Sequence, residues 1–189
     1  MAGNASYDAG TQQYTIKSAG YNIWYTRDEF HYLWKKMSVD VSLAADIAFP
    51  NSHGFFDRKV VFVIRQDLDD DAKEVMTALH GAGLIHLAQR PTKGATLMQT
   101  YRTGGRPKGA SKDTAVVLAK RLGIEKHGDA FTLFVSMNGE PMHQMGTPCN
   151  LHFDEPFYVG IGFCSHVPDK VDTGVVSHVV LQNAAGKVQ

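Results

Sequence analysis

Apolar and polar residues alternate in short runs along most of the chain, and turn-forming residues separate the runs. Such alternation is typical of β-strands, whose successive side chains point to opposite faces. Two-residue turns at 128–129 and 138–139 fit tight hairpins. The predicted strands cover residues 13–17, 30–36, 41–49, 59–66, 84–90, 96–102, 131–136, 157–166 and 175–181, with a strand pair or bend at 116–125. Short strands at this spacing predict an all-β protein, a two-sheet antiparallel sandwich.

One segment of the pattern is ambiguous. Residues 69–79 begin with acidic side chains suited to a helix N-cap and contain helix-favouring residues. Residues 75–79 fit a strand that ends at His80 equally well, so both alternatives stay open.

The strand predicted at 30–36 has two chemically different faces. Three aromatic residues point to one side and a mixed set to the other: Phe30, Tyr32 and Trp34 against His31, Leu33 and Lys35. If the aromatic face is core, the other face presents His31 beside the charged residues 27–29. A ligand-binding sheet has this pattern, and so does the ordinary edge of a sandwich.

Composition narrows the class of protein. The 189 residues are 43% hydrophobic and 20% charged, which predicts one ordered domain over residues 1–189 with its core at about 13–182. Nineteen basic and nineteen acidic residues cancel, so neither nucleic acid nor a membrane surface is an expected partner. The polar N-terminus predicts no secretory signal in the chain as it stands. Cys149 and Cys164 lack C-x-x-C spacing, which favours two buried thiols in the cytoplasm.

Several segments, taken in their order and spacing, resemble jelly-roll modules of the concanavalin A-like lectin/glucanase superfamily. In bacteria these modules are often appended to longer proteins, including β-propellers. The segments lie between about residues 20 and 182: NIWYTRDEFHYLWKK with VDVSLAADIAF, VVFVIRQDLDDDA, LHGAGLIHLAQR, LGIEKHGDAFTLFVSMNGEPMHQMG, and FYVGIGFCSH with VVSHVVL. The resemblance implies a jelly roll whose concave face suits a carbohydrate or another extended ligand.

The resemblance does not imply an enzyme. Catalytic glucanases of this superfamily carry an E-x-D-x-x-E strand, which places an acid and a nucleophile on one face. That motif is absent from the sequence, and the predicted strands carry few acids, with Asp46 and Glu125 as exceptions.

Nine histidines are many for this length, and five of them could converge on one sheet face: His31, His80, His86, His152 and His166. No H-x-H or H-E-x-x-H spacing supports a metal site, so hydrogen-bonded histidines in a pocket are expected, with no metal and no cofactor. The acidic run 67–71 could bind calcium, although a solvated turn or helix N-cap is favoured because the EF-hand spacing is missing.

Other candidate residues each have two interpretations. Arg65 ends an apolar strand, so it pairs with a carboxylate such as Glu29 or meets a ligand. Trp24 could stack on a sugar ring, although most aromatic residues at alternating positions are core. Cys164 and His166 share a face and could form a thiolate pair, but a buried structural thiol is favoured. The basic stretch 102–112 is interpreted as a solvated loop.

The leading hypothesis is a binding module for a carbohydrate or another small molecule. Its expected ligand-binding residues are Trp24, Glu29, Gln66, Gln89, Tyr158 and His166, together with His31, Arg65 and His80.

Two alternatives stay open. One is an enzyme of the cyclase, isomerase or lyase type acting on a hydrophobic metabolite, with His31 or His80 as general base and Arg65 stabilising negative charge. The other is a scaffold that binds a protein through an exposed sheet edge, and such edges also make a homodimer plausible.

Overall fold

A computed structural model describes residues 3–109, 111 and 116–188 of the chain. In these residues the secondary structure consists of strands, and no helix capable of spanning a membrane occurs among them. The strands are β1 (Asn4–Asp8), β2 (Gln13–Ser18), β3 (His31–Met37), β4 (Val41–Ala48), β5 (Lys59–Arg65), β6 (Glu74–His80), β7 (Leu84–Arg90), β8 (Met98–Gly104), β9 (Arg121–His127), β10 (Ala130–Ser136), β11 (His143–Asn150), β12 (Phe157–Cys164) and β13 (Asp172–Gln182).

The strands form two antiparallel sheets packed face to face. One has seven strands in the order β1-β2-β13-β4-β9-β10-β11, and the other has six in the order β3-β12-β5-β6-β7-β8. Inward-pointing residues of both sheets make one core, because alternate side chains of each strand face the other sheet. On β5 these residues are Val60, Phe62 and Ile64. The predicted two-sheet antiparallel sandwich is therefore confirmed.

Segment 69–79 contains no helix, and the helix alternative for it was wrong. Residues 74–80 form β6, and all seven are buried. Val75 and Leu79 face the core between the sheets, whereas Met76 and Ala78 belong to a second apolar cluster on the opposite face. Burial on both faces removes the alternation of apolar and polar residues that identifies a strand in a sequence.

The other differences concern strand limits. The strand predicted at 116–125 begins only at Arg121, and β1 and β11 were not predicted as strands. Both unpredicted strands lie at the edges of the seven-stranded sheet and are largely exposed, so they lack an apolar stripe. Residues 110 and 112–115 lie outside the described residues, and of these 110 and 112 belong to the predicted basic loop.

The assumption that the aromatic face of β3 belongs to the core between the sheets was also wrong. Leu33 packs against the core between the sheets, whereas Phe30 and Tyr32 join the second cluster on the opposite face. The aromatic face of β3 is therefore the outer face of the six-stranded sheet. The Phe30 ring occupies the position that a Cβ on Gly162 would need, 2.4 Å from its Cδ2 atom. A glycine is required there because the aromatic ring lies against the strand.

Residues 19–30 cross the outer face of the six-stranded sheet, and we name them the crossing segment. Ile23 of this segment is fully buried against Val61, Val63 and Met76 of the sheet. The backbone N–H of Leu97 donates to the carbonyl oxygens of Trp24 and Tyr25, at 3.2 and 3.0 Å. The crossing segment thus covers the middle of a sheet face that would otherwise be exposed and apolar.

A buried charge network holds the crossing segment in place. Arg65, Glu74 and Arg90 lie side by side on β5, β6 and β7, with Cα atoms in register. Asp28 of the crossing segment accepts from both guanidiniums, at 2.6 and 2.8 Å from Arg90 and 3.1 Å from Arg65. The four side chains are 0–3% exposed. Two arginines thus face two acidic side chains, as a buried ionic cluster requires, and burial raises the pKa of Glu74 to about 8.

We predict that Arg90→Met destabilises the protein by about 3–5 kcal/mol, because it leaves Asp28 and Glu74 buried without their main cation. The control is Arg27→Ala, which removes an exposed ion pair between Arg27 and Asp70 outside the buried network. Exposed pairs contribute little, so the control should unfold close to the parent protein. Urea unfolding of both variants checks this, and equal losses in the two would contradict a structural role for the network.

Candidate ligand-binding site

A cavity of about 270 Å³ opens on the outer face of the six-stranded sheet, at the end opposite the buried charge network. Its ionisable lining residues are Asp57, Lys59, His80, His86, Arg102 and His166. The remaining lining residues are Asn22, Trp24, Tyr25, Leu84 and Gln99. The crossing segment forms one wall of the cavity, and the sheet forms its floor.

Strand register places the polar side chains of the floor next to one another. Lys59 is the first residue of β5, and its Cα pairs with His80 at the end of β6 and with Cys164 at the end of β12. His86 of β7 pairs with Arg102 of β8. Residues in register on neighbouring strands point to the same face, so five strands deliver these groups to one place.

Asp57, His80 and His86 form a hydrogen-bonded chain along this floor. His80 Nδ1 lies 3.3 Å from Asp57 Oδ1, and His80 Nε2 lies 3.3 Å from His86 Nδ1. The hydrogen bond from His80 holds the pKa of Asp57 below its usual value, so Asp57 is an anion that needs a donor. His80 therefore carries its proton on Nδ1 and accepts on Nε2, and His86 donates from Nδ1.

The hydrogen-bonded row Asp57–His80–His86 ends in an acceptor atom that has no partner among the described residues. With its proton on Nδ1, His86 keeps a lone pair on Nε2, and that buried atom has no hydrogen-bond partner among the described residues. Burial lowers the pKa of His80 to about 4 and that of His86 well below its usual value. Both rings are neutral at neutral pH, so the chain presents an acceptor suited to a hydroxyl or N–H donor.

His166 sits at the rim in an uncommon backbone conformation, with φ of 64°. Its N–H donates to the carbonyl of Gly20 at 3.1 Å, and its ring stacks on Phe55 with centroids 5.2 Å apart and planes at 9°. Tyr21 contacts the other side of the ring, with centroids 5.3 Å apart. These rings form an aromatic row that continues to the half-exposed Phe56. Of this row, His166 is the residue that lines the cavity.

Three of the residues predicted for the site lie together in this cavity: Trp24, His80 and His166. Of the five histidines expected to converge, His80, His86 and His166 do so. His152 instead pairs with Asp129 at the surface, at 3.1 Å.

The other predicted residues lie elsewhere. Arg65 pairs with Asp28 and Glu74 in the buried network, so it has the carboxylate partners that the sequence allowed, but not Glu29. The Gln66 amide exchanges two hydrogen bonds with the backbone of Asp154, both at 2.9 Å.

Four further predicted residues are also placed away from the cavity. Gln89 lies on the face of β7 that points toward the other sheet. Tyr158 lies on the outer face near the other end of the sheet, edge to face with Trp34 at 5.0 Å. His31 and Glu29 line a separate cavity between the start of β3 and the loop after β12. The structure thus separates these residues into several places.

Asp57, Lys59 and Arg102 belong to the site but were not singled out in the sequence. Lys59 begins an otherwise apolar strand, a position where lysines usually reach solvent. A usable signal was its spacing from Arg65. Both positions fall on the same strand face as Val61 and Val63, so that face is polar at both ends.

The acidic run forms a turn, with the N–H of Asp69 donating to Asp67 at 2.9 Å. The ammonium of Lys93 pairs with Asp67, Asp69 and Asp71. In the part of the chain that the structure describes, no three or more histidine, cysteine or acidic side chains are arranged to hold a metal ion. Cys149 and Cys164 are both buried and free, as expected.

No protein-family model and no curated protein match the sequence. The structure, however, is similar to solved structures along nearly its whole length. A functionally unknown protein from Saccharomyces cerevisiae gives a TM-score of 0.66 at 12% identity, covering 97% of this chain and 93% of that chain. The carbohydrate-binding module CBM66 from Bacillus subtilis gives 0.58 at 13% identity, covering 96% and 92%. The GH131 β-glucanase catalytic domain from Podospora anserina gives 0.53 at 12% identity, covering 99% and 81%.

The chain has the concanavalin A-like jelly-roll fold. This confirms the fold that the sequence resemblance implied. At these identities the similarity concerns the fold alone and does not identify the ligand of this jelly roll.

We predict that acidification destabilises this jelly roll through His80. The unfolded ring binds a proton near pH 6.5, whereas the buried ring resists protonation until about pH 4. Unfolding therefore takes up a proton between these values, and stability falls as the pH falls from 6.5 to 4, by about 3 kcal/mol from this group.

Thermal or urea unfolding across this pH range, compared between the parent protein and His80→Asn, measures the contribution. The variant should have the shallower profile because it lacks the titrating ring. His143→Asn is the control, since His143 is exposed, and its profile should follow the parent. A parent profile that is no steeper than that of His80→Asn would contradict the prediction.

Proposed function

We propose that this protein binds a carbohydrate in the cavity formed by Trp24, Asp57, His80, His86 and His166. The observation that carries the proposal is the unused acceptor at the end of the Asp57–His80–His86 chain, next to the indole of Trp24. The ring centroids of Trp24 and His86 are 5.3 Å apart. An apolar flat surface beside a fixed acceptor suits a sugar, which has apolar ring faces and hydroxyl donors at its edges.

The size and borders of the cavity support this choice. About 270 Å³ is near the lower limit of small-ligand sites and suits one small ring with its substituents. Three ring-bearing side chains other than those of the histidine pair line the cavity: Trp24, Tyr25 and His166. Carbohydrate binding is also what the name of CBM66 states for that similarly folded module.

We predict that sugar binding changes the fluorescence of Trp24. The protein has two tryptophans, so Trp34→Phe leaves Trp24 as the single indole reporter. Titrating this variant with a panel of neutral and acidic mono- and oligosaccharides should give a saturable signal. Trp24→Ala should weaken binding by at least about tenfold, because stacking and burial of the indole are lost.

Trp34 provides a matched control because it is half-exposed on the same sheet face but lies outside the cavity. Calorimetric titration of the parent, Trp24→Ala and Trp34→Ala proteins should show loss only for Trp24→Ala. Equal losses in both variants, or no binding of any sugar by the parent, would refute the proposed function. Recovering the sugar unchanged after incubation supports a binding module, whereas a converted product would favour the enzyme alternative.

A further inference from the structure

We infer that the cavity recognises a carboxylate group on its ligand, so that the carbohydrates it binds are uronates or other sugar acids. This inference rests on the proposed function, since it specifies the class of sugar for the same cavity. Its basis is the ammonium of Lys59, which is buried without an ion-pair partner among the described residues, in a cavity that Arg102 also lines.

Lys59 is only 1% exposed. Its Nζ donates to Asn22 Oδ1 at 2.6 Å and lies 3.8 Å from Cys164 Sγ, which is a weak acceptor. The third N–H has no acceptor in the part of the chain that is described. Burial raises the pKa of the Cys164 thiol, so this sulfur does not supply a negative charge at neutral pH. Besides His80, Lys59 helps to lower the pKa of Asp57, but no carboxylate among the described residues lies within ion-pair distance of this buried ammonium.

Asp57, the carboxylate among the residues that line the cavity, already has a hydrogen-bond partner. Asp57 is bonded to His80 at 3.3 Å and lies 4.0 Å from His166 Nε2. No ion pair joins Asp57 to Lys59 or to Arg102 in the described structure. The lining therefore contains two cations, Lys59 and Arg102, and one anion, Asp57, with a net charge of +1. One carboxylate from a ligand would neutralise it.

Arg102 lies at the rim of the cavity, where its guanidinium could also contact a ligand carboxylate. It lies opposite His86 in the β7–β8 register, is exposed, and has no hydrogen bond or ion pair among the described residues. A guanidinium presents paired N–H donors that match the two oxygens of a carboxylate. The deep ammonium and the rim guanidinium thus provide a strong and a weaker contact to the same kind of group.

The arginines of the buried network at the other end of the sheet face have carboxylate partners from the protein, whereas Lys59 has none in ion-pair contact among the described residues. There, Arg65 and Arg90 meet Asp28 and Glu74, so two cations meet two carboxylates supplied by the protein. At the cavity end, the crossing segment supplies only the amide oxygen of Asn22 to Lys59. A ligand carboxylate would take the role that Asp28 has in the network.

The test compares three hexuronates, of gluco, galacto and manno configuration, with their uncharged amides in calorimetric titrations. We expect at least one uronate to bind roughly ten- to a hundredfold more tightly than its amide, the usual effect of a charge-assisted hydrogen bond. Lys59→Met should abolish this preference, and Arg102→Gln should reduce it and its dependence on salt.

Lys59→Met should not lower the melting temperature of the ligand-free protein, because the ammonium it removes is uncompensated and Asn22 Oδ1 keeps the N–H of Ile23 as donor, at 2.9 Å. The control is Lys126→Met, since Lys126 is also buried but donates to the carbonyl of Val39 at 2.8 Å on the other sheet. Lys126→Met should retain the preference for uronates. A large drop in melting temperature for Lys59→Met alone would make Lys59 a structural residue and overturn the inference.

The outcomes separate this inference from the proposed function. Uronates and amides that bind equally would overturn the carboxylate preference and leave carbohydrate binding in place. Acetate or inorganic phosphate binding as tightly as the uronates, with no binding of the amides, would support the anion site and overturn carbohydrate as the ligand. Absence of binding by all these probes would overturn both.

Discussion

The position of Asp28 between two buried guanidiniums is the interaction on which the rest of the structure depends. Without it, Arg65 and Arg90 would carry unbalanced charge on a sheet face that the crossing segment covers. Because Asp28 is bonded to Arg65 of β5 and Arg90 of β7, the whole crossing segment has a defined path over the sheet. That path brings Asn22 and Trp24 to the opposite end, where they form one wall of the cavity. A structural ion cluster therefore positions the binding residues from about 20 Å away along the strands.

The outer sheet face contains two rows of polar residues, one in the buried charge network and one at the cavity. One row is closed by acidic side chains from the protein, so it contributes to the fold. The other row carries Lys59 and neutral histidines and keeps an accessible cavity above it. Among the described residues, the Nε2 atom of His86 that lacks a hydrogen-bond partner belongs to a residue that lines this cavity, whereas the atoms of Arg65 and Glu74 that lack one lie inside the closed row. The same crossing segment separates the two rows, so one element of the fold creates both a stable sheet and an open cavity.

Much of the fold followed from local pattern. Strand β4 could be identified because larger apolar residues alternate with small or polar ones in its sequence, although its first five residues are all buried. Strand β6 was ambiguous because both of its faces are buried, and β1 and β11 were missed because exposed edge strands need no apolar stripe. Of the two interpretations of Arg65, a carboxylate partner or a ligand, the structure shows the carboxylate partner. The example named was Glu29, and nothing local tells which of two adjacent acids turns inward.

By itself, the sequence determined an all-β sandwich and the face on which each side chain of β4 and β7 lies, and its nine candidate site residues included three that line the cavity, Trp24, His80 and His166. These depend on periodicity and on the preferences of single residues. Only the tertiary structure decided that Lys59, His80 and His86 meet, and that Asp28 rather than Glu29 balances the arginines. Both results depend on strand register and on the path of the crossing segment. These are fixed by packing between residues far apart in the chain, which no local pattern encodes.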